Sequence, residues 1–98
     1  MRHLRIALYD MKSGTAEEAI DIARNGILPL FEQQPGFVRY EVGTLDSGGI
    51  VSCSIWETGD EAQRAVDLAA SWVKENLASR VQLREEHIGN MAWDEATS

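Results

Sequence analysis

Apolar residues alternate with polar ones in four short stretches of this chain. In two longer stretches they recur every three or four positions. These two periods predict strands and helices in turn. Residues 3–9 alternate, with Leu4, Ile6 and Leu8 on one side and His3, Arg5, Ala7 and Tyr9 on the other. Residues 10–14 are polar and form a loop. Thr15-Ala16-Glu17-Glu18 fits a capping box, followed at helical spacing by Ala16, Ala19, Ile20, Ala23, Ile27, Leu30 and Phe31. Pro29 lacks an amide hydrogen and crowds the preceding turn, which predicts a kink or a break into two pieces. Residues 37–45 alternate again, residues 46–49 carry a hairpin signal, and residues 50–56 return. Pairing Leu45 with Ile50 sets Arg39 opposite Trp56 and Tyr40 opposite Ile55. A second capping box at Thr58-Gly59-Asp60-Glu61 opens a helical stripe of Ala62, Ala65, Val66, Ala69, Trp72, Val73, Leu77 and Val81. Residues 85–93 form a fourth strand, and residues 94–98 are expected to be a loose tail.

The order βαββαβ is the split βαβ arrangement. Right-handed crossovers give an α+β, ferredoxin-like domain: a four-stranded antiparallel sheet in the order 4-1-3-2, with both helices on one face. Assigning the more apolar side of each strand to the helices sends Leu4, Ile6, Leu8, Val38, Tyr40, Val42, Val51, Cys53, Ile55 and Ile88 inward. The other face then gathers His3, Arg5, Tyr9, Phe37, Arg39, Glu41, Ile50, Ser52, Ser54, Trp56, His87, Met91 and Trp93. So many aromatics among charges suit neither a solvent face nor a core. They predict a homodimer that pairs through this sheet face.

Composition narrows the partners. Ninety-eight residues set one domain over residues 1–98, with an ordered core over about 3–93. The formal charge is −7 and the basic residues are scattered, which argues against nucleic acid. No apolar run is long enough for a membrane span or a signal peptide, so a cytoplasmic location is expected. The single cysteine, Cys53, excludes an internal disulfide framework.

The stretches Pro35-Gly36-Phe37-Val38-Arg39-Tyr40-Glu41 and Val51-Ser52-Cys53-Ser54-Ile55-Trp56-Glu57-Thr58, followed by an Ala-rich helix, resemble the antibiotic biosynthesis monooxygenase-like domains of the dimeric α+β barrel superfamily. The resemblance spans about residues 3–93. It implies a dimeric α+β barrel and several activities. Some members oxidise quinols or other electron-rich polycyclic aromatics with molecular oxygen and need no metal or flavin; others degrade haem. Haem degraders carry an Asn, a Trp and a His at positions that fall near Ala7, Ala65 and Glu75 here. None matches, and Trp56 corresponds to a Trp common to the fold instead.

Candidate chemistry follows. The expected register sets Tyr9 across from His87, an acid–base pair for phenolic chemistry or a hydrogen bond at the dimer seam. It also sets His3 and His87 some 20 Å apart at about 3.4 Å per residue, too far to share a metal. No metal site and no cofactor is expected. Arg39 beside Trp56 suits an oxygen-rich ring substituent or a cation–π contact. Tyr40, Trp72, Phe31 and Asn90 are expected to line a space between helices and sheet, where they either bind a small aromatic ligand or fill the core. Cys53 is expected to be buried there and inert. The leading expectation is a cofactor-independent monooxygenase-like protein acting on a small aromatic or quinol. The alternatives are a non-catalytic dimeric module for a small ligand, and an isomerase or lyase on the same barrel using Tyr9 and His87.

Overall fold

A computed structural model describes residues 1–93; the tail at residues 94–98 lies outside the described residues. The elements are β1 (His3–Met11), α1 (Ala16–Glu32), β2 (Phe37–Thr44), β3 (Ile50–Trp56), α2 (Gly59–Asn76) and β4 (Val81–Asn90). All neighbouring strands are antiparallel, in the order β2-β3-β1-β4, which is the expected order read from the other edge.

The helix starts follow their caps. The Thr15 hydroxyl accepts from the Glu18 amide and Glu18 Oε1 accepts from the Thr15 amide, both at 3.2 Å, closing a capping box. The Thr15 hydroxyl, 3.0 Å from Glu18 Oε1, together with the Thr15 amide and Arg80, holds the Glu18 carboxyl below its usual range. At α2 the Thr58 hydroxyl accepts from the Glu61 amide at 3.2 Å but donates to Glu61 Oε1 at 3.0 Å, so the reciprocal half of the box is replaced by a side-chain bond.

Of the kink or break expected at Pro29, the break does not occur: α1 runs through it. The proline lies one turn from the helix end, and the acceptor it leaves belongs to exposed Asn25, while buried Ile27 and Phe31 hold the segment down on both sides. α2 ends at Asn76, so Leu77 caps it and Val81 begins β4, four residues before the expected start of that strand.

The main correction concerns the sheet faces. On β1 and β3, Arg5, Ala7, Ile50, Ser52, Ser54 and Trp56 are buried, and Tyr9 packs with them against the helices. Leu4, Ile6, Leu8, Val51 and Cys53 alternate with these on the outer face and stay half-buried. Two causes explain the inversion. Period-two alternation defines two faces but does not say which one the helices cover. The hairpin also closes one residue off the expected pairing. Leu45 and Gly49 are bonded at 2.8 Å, Gly48 takes φ +101° in the turn, and Thr44 pairs with Ile50. Tyr40 therefore pairs with Ser54, and Arg39 pairs with Ile55. β2 and β4 kept their assignments, with Tyr40 and Val42 facing the helices and Ile88 beside Arg5, except that Phe37, across a slip in the β2 register, joins Trp56 on the inner face.

Small residues let the layers approach. Ala62, Ala65 and Ala69 of α2 pack with Ile27, Phe31 and Trp56 in one buried cluster, and Ala16, Ala19, Ile50, Leu77 and Val81 form another. Between the helices, Gly26 lies so near Trp72 that an added Cβ would stand 2.2 Å from the indole Cζ2.

Candidate functional site

The helix-facing side of the sheet carries an unusual amount of polarity for a core. Arg5 is 1% exposed. Its Nε donates to Glu86 Oε2 at 2.8 Å and its Nη2 lies 2.7 Å from the same oxygen, while Nη1 has no hydrogen-bond partner among the described residues. The guanidinium carbon stands 6.0 Å from the centroid of the Phe31 ring. Phe31 in turn packs against Tyr40 at 4.8 Å and edge-on to Trp56 at 5.3 Å, and Trp56 meets Phe37 at 5.5 Å. The Trp56 indole donates to the Ser54 hydroxyl at 2.9 Å.

Above this floor a cavity of about 40 Å³ lies between sheet and helices, walled by Ile20, Ala23, Ala69 and Trp72 and bounded on the sheet by Tyr9, Tyr40 and Ser52. A recess of about 150 Å³ between α1 and β2 shares Ile20, Ala23, Tyr40 and Val42 with it and adds Arg24 and Leu28. The inner cavity is large enough for water and opens to solvent at its mouth.

Burial dominates the electrostatics. It pushes the Tyr40 phenol up to about 12, although Arg5 and the nearby Ser52 hydroxyl favour its anion. Ser52 Oγ stands close to that phenol without making a formed hydrogen bond. Burial also raises Tyr9, against the pull of the Arg5 guanidinium beside it. Both phenols are therefore protonated at neutral pH and able to donate a hydrogen bond. Cys53, expected inside, lies half-buried on the outer face, where burial and then Glu41 raise its thiol.

Of the sequence-predicted residues, Tyr40 and Trp72 line the cavity, and Phe31 and Trp56 lie beneath it. Tyr9 lines it too, but without His87. Ile6 pairs with His87, Tyr9 pairs with Leu83, and the register slips between Leu8 and Tyr9. His87 thus lies on the outer face, exposed, with Nε2 3.3 Å from Glu85 Oε1. His3 pairs with Asn90, which puts the two histidines only three positions apart, not at opposite ends of the strand pair, but on opposite faces. Asn90 shares the helix-side face with His3 but is exposed at the strand end. Arg39 does not meet Trp56. It lies on the outer face, with Nε 3.7 Å from Glu41 Oε2. Among the described residues no group of three or more His, Cys, Asp or Glu could hold a metal ion, and no helix is long and apolar enough to cross a membrane.

Sequence reasoning missed Ser52 and Arg5. Their signal was the company they keep: Ala7, Ser52 and Ser54 are small, as a sheet surface must be to receive an alanine-rich helix. A long side chain such as Arg5 placed among them has to find a buried partner.

Solved structures with this fold agree with the geometry. SnoaB of Streptomyces nogalater, a cofactor-independent oxygenase, superposes with a TM-score of 0.76 at 16% identity, covering 97% of each chain. A protein of Chloroflexus aurantiacus, named provisionally as an antibiotic biosynthesis monooxygenase, superposes with a TM-score of 0.73 at 15% identity over the whole of both chains. An ethyl tert-butyl ether D (EthD) family protein of Bacillus halodurans gives a TM-score of 0.61 at 18% identity, covering 93% of this chain and 99% of that one. No curated protein matches the chain. The family model for antibiotic biosynthesis monooxygenase matches residues 2–71, and the chain belongs to that family.

Proposed function

We propose that this protein is a cofactor-independent monooxygenase acting on a small aromatic or quinol bound between sheet and helices. The observation that carries the reading is the pair of half-buried phenols, Tyr9 and Tyr40, on one wall of an apolar cavity. A protonated phenol in a dry site donates a hydrogen bond to an oxyanion and so lowers the cost of ionising a bound quinol. The ionised ring passes an electron to dioxygen, and the radical pair recombines to a hydroperoxide. One oxygen atom stays in the new carbonyl. The other leaves as water with the two hydrogens the substrate loses. The chain supplies orientation, hydrogen-bond donors and exclusion of water. Trp72 and Ala23 flank the ring, and the recess beside Arg24 and Leu28 is the way in.

A second copy covers the outer sheet face in this reading. Leu4, Ile6, Leu8, Val51 and Cys53 form an aliphatic centre, flanked by Arg39 and Glu41 on one side and by Glu85 and His87 on the other. An apolar centre within a polar rim is the anatomy of a homodimer interface.

The test is oxygen consumption across a panel of naphthols, anthrones and naphthohydroquinones. Wild type is expected to consume oxygen with at least one of them, and Tyr40→Phe to lower kcat by tenfold or more. Binding without any oxygen uptake would favour the second reading, a small-ligand module.

A further inference from the structure

A second cleft, of about 310 Å³, opens between α2 and β4 on the far side of Tyr9. It shares Tyr9, Val73 and Val81 with the inner cavity, so the two spaces meet across a common wall. Its lining is mostly apolar, with Ala70, Ala78 and Leu83, and Leu83 is 45% exposed despite its size. The chain has only two lysines, Lys12 and Lys74, and both line this cleft. In a chain of net charge −7 their convergence is a local reversal of sign. The one carboxylate in the lining, Glu86, is taken up by Arg5 at 2.7 Å. Lys12 gives one hydrogen bond to the Ala78 carbonyl at 3.0 Å, which leaves two of its three N–H donors for a ligand.

We propose that this cleft binds a small apolar carboxylate: its hydrocarbon body lies against Val73, Val81 and Leu83, and its carboxylate sits between Lys12 and Lys74. Lysine is suited to such a task, because its stem adds apolar wall while its ammonium stays at the wet rim. Because Tyr9, Val73 and Val81 border both spaces, a molecule held by its acid end at the lysines sets its hydrocarbon body against the wall of the inner cavity. The substrate class is thereby narrowed to aromatics that carry an acid arm. That narrowing rests on the oxygenase reading, but the cleft's affinity is measured without turnover, so failure of quinol oxidation leaves this proposal standing.

The experiment titrates naphthalene-1-acetate and its uncharged analogue, naphthalene-1-acetamide, into the ¹⁵N-labelled full chain. The expected result is at least tenfold tighter binding of the acetate, with amide shifts centred on Lys12, Lys74 and Leu83. The variant Lys12→Met/Lys74→Met, which keeps the stems, is expected to bind both compounds equally weakly, while Arg64→Met, which removes an exposed charge on α2 away from these spaces, leaves the acetate affinity unchanged. Equal affinity of wild type for the two compounds would overturn the proposal, and so would shifts confined to Ile20, Arg24 and Leu28. A double variant that loses thermal stability but binds the acetate like wild type would also overturn it, by showing that the lysines serve only the carboxyl-terminal end of α2.

Discussion

At the scale of single residues, the two phenols and the buried arginine make the strongest statements. Tyr9 and Tyr40 are the only tyrosines in the chain, so tyrosinate absorbance reports on them alone. A free phenol is half-ionised near pH 10. Both are raised here, Tyr40 to about 12, so Tyr40 is expected to add little tyrosinate absorbance at 295 nm to the native protein at pH 10.5, with a rise when the chain unfolds. The sign for stability follows. The unfolded chain releases these protons first, so the phenols' contribution is whole below about pH 10 and is lost as pH rises towards 12. Urea midpoints at pH 8 and pH 10.5 check this; a higher midpoint at pH 10.5 would contradict it. Arg5 makes a different prediction. Arg5→Met leaves Glu86 part-buried without its cation, at a cost of about 3–5 kcal/mol in denaturant unfolding. Adding Glu86→Leu is expected to restore most of that loss.

At the scale of elements, Gly26 of α1 lies directly against the Trp72 indole of α2. A methyl group there would meet Trp72 at 2.2 Å. Gly→Ala normally favours a helix by about 1 kcal/mol. Gly26→Ala is nevertheless expected to destabilise by about 1–3 kcal/mol, because the indole must move in a filled layer. A calorimetric midpoint at or above wild type would show that the layer is looser than described. The elements themselves were readable in the sequence: the Thr15 box, the two alanine-rich stripes and the alternation of residues 3–9 and 50–56 all correspond to observed structure. What could not be read was the phase. One residue of hairpin length decides whether Tyr40 meets Ile55 or Ser54, and one slip between Leu8 and Tyr9 helps take His87 away from Tyr9. Aliphatic Leu4, Ile6 and Leu8 read as core, while Arg5, Ser52 and Ser54 read as surface. Burial rules name the core correctly only when one face of a sheet is covered. The site was therefore legible through Tyr40, Trp72 and Tyr9, and illegible where it depends on which face the helices cover.

At the scale of the whole molecule, the sheet gives its polar side to the helices and its aliphatic side outward. That division predicts a homodimer. Ile6→Lys, at the centre of the outer face, is expected to convert a dimer near 22 kDa into a species near the 10.9 kDa chain mass in sedimentation equilibrium, with oxygenase turnover falling alongside. A wild-type chain that sediments as a monomer at micromolar concentration would remove the interface. The central claim is that the cavity beside Tyr9 and Tyr40 carries out oxygen chemistry without a bound cofactor. Its most direct test is mass spectrometry of the product formed under ¹⁸O₂ by chelator-treated protein, using whichever quinol the oxygen assay selects. The account predicts one ¹⁸O atom in the new carbonyl, the same rate with and without chelator, and loss of the labelled product in Tyr40→Phe. Oxygen drawn from water, or turnover that requires an added metal or flavin, would contradict it.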